Sequence, residues 1–422
     1  MNRFAYWDQE LYCENLSIAS LAEKYGTPLY LYSKNMIIDN FRAADQAFAS
    51  VPHKICYAMK ANSNFQILKL LASLGSGGDV VSGGELLLAL EAGIPAEKIV
   101  YAGVGKTDAE IEFAIDHGIL ALNVESEPEL ELVNHIAIGM GQMAPVAIRI
   151  NPDVDIHGHP YISTGKAINK FGIDIHQALQ VFLRAKDMDG IDIVGVHCHI
   201  GSQILDLEYY VAAAKKLFEF VQRLRQAGID IQHVDIGGGL GVHYPDLIPD
   251  YAEMTGEPVP SPAELAQRVL SILQPLSCEI VFEPGRSIIG ETGALICKVL
   301  YVKKSRDKNF VVVDAGMNDL IRPSLYNAYH QIVPLRKRDD AWEIYDVVGP
   351  ICETGDFLAK DRRLPRVERG DYLAVMTAGA YGYSLASNYN SRPRPIEVWV
   401  DRNRDEIIRD RERVEDWISA SA

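Results

Sequence analysis

The sequence predicts an α/β protein: a (β/α)8 TIM-like barrel followed by a C-terminal β-rich domain of β-barrel or sandwich type. Between about residue 50 and residue 285, eight short apolar or β-branched runs alternate with longer amphipathic stretches. After Gly285 the strand-like runs continue while the long helical stretches stop. At 422 residues the chain is also too long for one ordinary core, so two domains are the natural division.

The N-terminal run MNRFAYWDQELYCENLS mixes acids with aromatics, unlike the basic patch and apolar stretch of a signal peptide. PLYLYS, from Pro28, reads as a lead into the barrel. The barrel strands then follow in order: KICYAMK from Lys54, DVVS from Asp79, KIVYAG from Lys98, ALNVE from Ala121, VAIRI from Val146, IVGVHCHI from Ile193, HVDIGG from His233 and EIVFEP from Glu279. Eight strands in series favour closure over an open sheet. NFQILKLLASLG and GELLLALEAG between them each end in the glycine that commonly closes a helix. Beyond Gly285, ALICKVLYVKK, NFVVVDAG, WEIYDVVG, YLAVMTAG and PIEVWV read as strands of the second domain. The expected division is 26–285 for the barrel and 286–422 for the β-rich domain, joined by residues 1–25.

Hydrophobic residues make up 48% and charged residues 23%, the balance of a soluble globular protein. No apolar run approaches the ~20 residues of a spanning helix, so neither a membrane nor a secretory route is expected, and the cytoplasm is. A net charge of −16 argues against binding nucleic acid. Cysteines 13, 56, 198, 278, 297 and 352 show neither disulfide-framework nor zinc-type spacing.

Barrels of this kind place their reactive groups at the carboxyl ends of the strands, often with a phosphate site after strands seven and eight. Strand seven ends in GGGLG, Gly237 to Gly241, where missing side chains let backbone amides approach an anion. Strand eight ends in EPGR, with Glu283, Gly285 and Arg286. Strand one ends in YAMKAN, which projects Lys60 at the barrel mouth; alone, such a lysine reads as a solvated charge. Strand six ends in HCHIGSQ, whose His197 and His199 are two apart and expected on one side. A metal would need a third ligand, none is evident nearby, and a ring stacked on a flat cofactor is the better reading.

YAMKAN, HCHIGSQ, DIGGGLG, EPGR, CETGD from Cys352 and AGAYG from Ala378 occur in the order seen in the fold-type III pyridoxal-phosphate decarboxylases related to alanine racemase, which the chain resembles over nearly its whole length. The resemblance implies that Lys60 binds pyridoxal 5'-phosphate as a Schiff base and that His199 stacks on the pyridine face. It implies further that Gly239, Gly285 and Arg286 surround the phosphate and that Ser202 and Tyr381 join the cofactor shell. Glu283 resembles the family's partner for the pyridine nitrogen, where an acid holding a proton helps the ring drain electrons from a carbanion.

ISTGKAINKFGI from Ile162, RPSLYNAYH from Arg322, CETGD and YNSRPRPIEV from Tyr389 narrow the resemblance to the diaminopimelate decarboxylases. Arg322 and Tyr326 are four apart, on one face of any helix, and with Arg286 could grip the distal carboxylate of meso-diaminopimelate. Cys352 and Glu353 resemble the family's proton donor and distal-ammonium ligand, supplied across a homodimer interface to shared active sites. Tyr381 also falls among the substrate-binding residues. The family run is usually CESGD; here Thr354 stands in the serine position and retains the hydroxyl. The implied activity is release of carbon dioxide from meso-diaminopimelate to give L-lysine, the last step of lysine biosynthesis. A decarboxylase of another D-amino acid or carboxylated polyamine, and a non-enzymatic pyridoxal-phosphate-binding protein, stay open at this point.

Overall fold

The computed structural model describes residues 3–154, 170–252, 258–338 and 341–420. The chain forms two compact units, one from Asn40–Gly241 with Pro258–Ser287, the other from Met1–Asp39, Val242–Glu257 and Ile288–Ala422.

The first unit is a closed barrel of eight parallel strands. They are β1 (His53–Ala58), β2 (Gly77–Val80), β3 (Ile99–Tyr101), β4 (Ala121–Val124), β5 (Ala144–Asn151), β6 (Ile191–His197), β7 (His233–Asp235) and β8 (Glu279–Phe282). Each pairs with the next, and β8 returns to β1 with Phe282 beside Ile55. All eight overlap the runs the sequence assigns to them, because strands covered on both faces read as short apolar runs, although β2 begins two residues before Asp79 and ends at Val80. Side-chain caps start the crossover helices close behind the strands. Ser82 accepts from the Glu85 N–H at 3.2 Å to open helix Gly83–Glu91, and Thr107 with Glu110 forms a capping box on Asp108–Asp116.

The middle of the barrel is filled by small apolar side chains: Cys56, Val100, Ala121, Ala147, Val194 and Val281. Toward the carboxyl ends the filling turns polar, with Asp79, Asn123, Arg149, His197 and Asp235 all buried. Charges at that depth persist only when they balance one another, so this layer is where chemistry can concentrate.

The second unit is built on a mixed sheet whose order is Phe357–Pro365, Trp342–Val348, Asn309–Val313, Gly293–Lys304, Leu29–Ser33, Ile396–Asp401 and Arg404–Arg409. Leu29–Ser33, read from sequence as a lead into the barrel, is instead a central strand here. It runs antiparallel to Gly293–Lys304 and parallel to Ile396–Asp401. All five of its residues are buried. Leu29 and Leu31 join a core with Ile18, Val333, Met376 and Val398. Tyr30 and Tyr32 donate to the Asp319 carbonyl and the Glu397 carboxylate, each at 2.7 Å. A run buried on both faces shows that it needs neighbours without showing which sheet provides them. Phe4, Leu11 and Cys13 of the small N-terminal sheet belong to the same core. The Gln331 side chain bonds both the N–H and the carbonyl of Ile248 at 2.8 Å. Among the described residues no helix is long and apolar enough to cross a membrane.

Candidate active site

The turn Met59–Ala61 begins where β1 ends and carries Lys60 into an ion pair with Asp79 of β2. Asp79 is fully buried. Burial, reinforced by the charge of Glu283 and opposed by that of Lys60, pushes its pKa up to about 7. Glu283, just past β8, behaves in the opposite way. Burial alone would raise it, but the His197 ring 3.4 Å away and the Lys60 charge outweigh burial and hold it well below the usual carboxylate range. Asp235 completes the set, since His197, Asp235 and Glu283 offer atoms within 4.8 Å of one another. Burial and then the Glu283 charge push Asp235 well above its ordinary value. Two adjacent acids therefore divide the labour, Glu283 ionised and Asp235 neutral.

β6 ends at His197, so His199 lies just beyond the strand and the period-two alternation does not extend to it. His199 Nδ1 accepts from the Gly238 N–H at 3.1 Å. Desolvation, then the Arg149 and Lys60 charges, lower its pKa well below the ordinary value, leaving a neutral ring with its proton on Nε2. Two acids from β7 and β8, not evident from local spacing, stand beside His197 where the sequence showed no third ligand.

The loops after β6, β7 and β8 approach one another at backbone distance. A Cβ on Gly238 would lie 1.9 Å from the Glu283 carbonyl, and one on Gly239, whose φ is +102°, 2.1 Å from the Gly201 carbonyl. Gly285 faces Ala58 and Ala61, whose Cβ atoms would each be 3.1 Å from its own. Arg286 Nη2 donates to Ser202 Oγ at 3.2 Å, tying the loops together by side chains as well. Glycine backbone, a hydroxyl and a guanidinium are the chemistry that holds a phosphate. Glu283 Oε1 and Asp79 Oδ1 are buried without a hydrogen-bond partner. An ionised, buried carboxylate oxygen in that state suits an N–H donor such as a protonated pyridine nitrogen. These residues fit pyridoxal phosphate.

In the other unit, Arg322 and Tyr326 open and close the short helix Arg322–Tyr326. Arg322 is buried with its guanidinium 4.9 Å from the centre of the Tyr244 ring, and Tyr326 is half-buried. Ser324 donates to the Gly355 carbonyl, joining this helix to the CETGD run. Cys352, Glu353 and Thr354 are exposed. Asn390 Oδ1 accepts from the Cys352 N–H at 2.8 Å. Buried Asp356 accepts from the N–H groups of Met317 and Ile351, both at 2.6 Å, and so splints the run from its far end. Tyr381 is half-buried with φ +55°.

The structure adds four acids and a base that motif reading passed over: Asp79, Asp235, Asp356 and the buried pair of Glu125 with Arg149, 2.9 Å apart. A lone acid inside an apolar strand run, as in DVVS and HVDIGG, was the available signal. Of ISTGKAINKFGI, residues 162–169 lie outside the described residues, while the Phe171 ring lies 4.9 Å from the Arg149 guanidinium.

Residues 34–290 match the family described as pyridoxal-dependent decarboxylase, pyridoxal binding domain, so the barrel and its mouth are those of a pyridoxal-phosphate-dependent decarboxylase. The chain is 50% identical to the diaminopimelate decarboxylase of Aquifex aeolicus over 96% of its own length and 94% of that protein. It is 47% identical to that of Vibrio cholerae over 98% and 97% of the two chains. Within the class, it belongs to the diaminopimelate decarboxylase family. The Helicobacter pylori diaminopimelate decarboxylase, solved with L-lysine, superposes with a TM-score of 0.90 at 45% identity, covering 96% of this chain and 99% of that one.

Proposed function

We infer that the chain converts meso-diaminopimelate to L-lysine and carbon dioxide, with Lys60 carrying the cofactor. The observation that carries this is the Lys60–Asp79 pair at the barrel mouth, across from an ionised Glu283, in a chain of this family. When bound, pyridoxal phosphate supplies an electron sink for the pair left by departing carbon dioxide. Glu283 would hold a proton at the ring nitrogen, with His197 keeping that carboxylate ionised and Asp235 beside it. His199 offers a neutral ring face for stacking. Gly239, Gly285 and Arg286 would hold the phosphate, with Ser202 and Tyr381 in the cofactor shell. In this reading the cofactor belongs to the barrel, expected over 26–285, and the substrate-reading groups to 286–422.

Arg286, Arg322 and Tyr326 bind the distal carboxylate, Glu353 the distal ammonium, and Cys352 delivers the proton that replaces carbon dioxide, with Tyr381 beside the substrate. Cys352 and Glu353 serve the partner subunit's site in a homodimer. Their exposure supports this, since it leaves both side chains accessible to a second subunit. Six free cysteines suit the reducing cytoplasm.

Purified protein given meso-diaminopimelate is expected to release lysine and carbon dioxide in equal amounts, and borohydride is expected to fix the cofactor on Lys60. A label on another lysine overturns that assignment. D-lysine lacks the distal carboxylate and would leave buried donors unpaired, so a preference for meso-diaminopimelate of roughly 10⁴-fold is expected. Similar efficiency on both substrates would replace this reading with a broader D-amino-acid decarboxylase.

A further inference from the structure

We propose that His330, the last residue of RPSLYNAYH, is the positioning residue that sets the Arg322 guanidinium for the distal carboxylate; this rests on the substrate reading above. The hydrogen bonds assign the ring's protons by elimination. A main-chain carbonyl only accepts, so the 2.9 Å contact between His330 Nδ1 and the Met376 carbonyl puts a proton on Nδ1. A guanidinium only donates, so the 2.9 Å contact between Arg322 Nη1 and His330 Nε2 uses the lone pair of the other nitrogen. Both bonds select one neutral tautomer. An imidazolium would have no lone pair to offer and would set two cations against each other.

His330 is fully buried and Arg322 is 7% exposed, so water competes little for this bond. The Tyr244 ring centre lies 4.9 Å from the Arg322 guanidinium and 5.2 Å from the His330 ring, with the two rings perpendicular at 90°. Arg362 Nη1 donates to the His330 carbonyl at 2.6 Å and pins the backbone that carries the ring. Asn327, with φ +52°, ends the helix and turns the chain so that His330 can meet Arg322. A planar fork grips a carboxylate only when its plane is aimed, and here His330 holds one end of that fork while Tyr244 packs against it.

Three replacements in the holoenzyme test this. His330→Gln keeps an acceptor within reach of Arg322, His330→Asn keeps the donor to Met376 but is too short for Arg322, and His330→Leu removes both. Asn and Leu are expected to raise KM for meso-diaminopimelate with little change in kcat. The resulting kcat/KM falls about 10- to 100-fold, the worth of a hydrogen bond to a charged group. Turnover of D-lysine and the cofactor's absorption band stay as in wild type, and Gln restores most of the loss. If Leu does not fold, the difference between Asn and Gln carries the same comparison. In an Arg322→Ala background, His330→Asn is expected to add nothing. Equal losses on both substrates, or an undiminished Asn effect without Arg322, overturn the proposal. Arg322→Ala separates the two layers: if it discriminates like wild type, the distal-carboxylate reading fails. If it loses discrimination while His330→Asn keeps it, only the role of His330 fails.

Discussion

The barrel mouth and the CETGD run hold their reactive groups by opposite means. At the mouth, the buried carboxylates of Asp79, Asp235 and Glu283 set one another's charge, with His197 and Lys60 acting on the same balance. In the other unit, Cys352 and Glu353 are exposed, and side chains of Asn390 and Asp356 hold the backbone of the run. Burial tunes charge and demands completeness within one chain. Under the proposed shared site, a run offered to a neighbour must stay at the surface, so only its backbone can be fixed in advance.

The comparison breaks most visibly if its two halves cannot be separated. Lys60→Ala and Cys352→Ala are each expected to lower activity drastically, Lys60→Ala by roughly 10⁴-fold or more. Mixed under conditions that exchange subunits, the two inactive proteins are expected to recover part of the activity, because one site then has both intact residues. Proven exchange without recovery counts against a shared site. Asp356→Ala probes the splint. Losing two charge-assisted hydrogen bonds is expected to cost about 2–4 kcal/mol in chemical denaturation, with weaker catalysis and unchanged cofactor binding. Unchanged catalysis would show that the run needs no such fixing.

The smallest expected effect is electrostatic. Asp79 has a pKa of about 7 when folded and one near 4 when unfolded. The stability tied to its proton is complete below about pH 4 and lost as pH rises through about 7. Cofactor-free wild type is therefore expected to lose a few degrees of melting temperature across that window relative to Asp79→Asn, which cannot ionise. Parallel curves for the two proteins would sink the assignment.

The barrel was legible because each strand is an apolar run bounded by helix caps and glycines, signals that act within a few residues. Leu29–Ser33 was not, since its partners lie hundreds of residues away. The same distinction runs through the site. Lys60, His199, Glu283 and the glycines announce themselves in compact motifs at strand ends. Asp79, Asp235, His330 and Asp356 acquire their roles only from what other segments bring beside them. The roles assigned to Lys60, His199, Glu283, Cys352, Glu353 and Tyr381 all came from resemblance; local spacing pointed to the strand-end loops but not to an exposed cysteine or a lone tyrosine.

Leu29–Ser33 has a consequence for synthesis. It emerges from the ribosome hundreds of residues before its partner Ile396–Asp401. At typical elongation rates of 5–20 residues per second, the interval is roughly 20 to 70 s. The ring of strands is complete once Phe282 has emerged, so the barrel can fold while this apolar strand still waits with open edges. Such an edge invites pairing with the wrong chain. Translation that stops before Ile396 would leave the edge facing that strand open, which makes premature termination a route to aggregation as well as to inactivity.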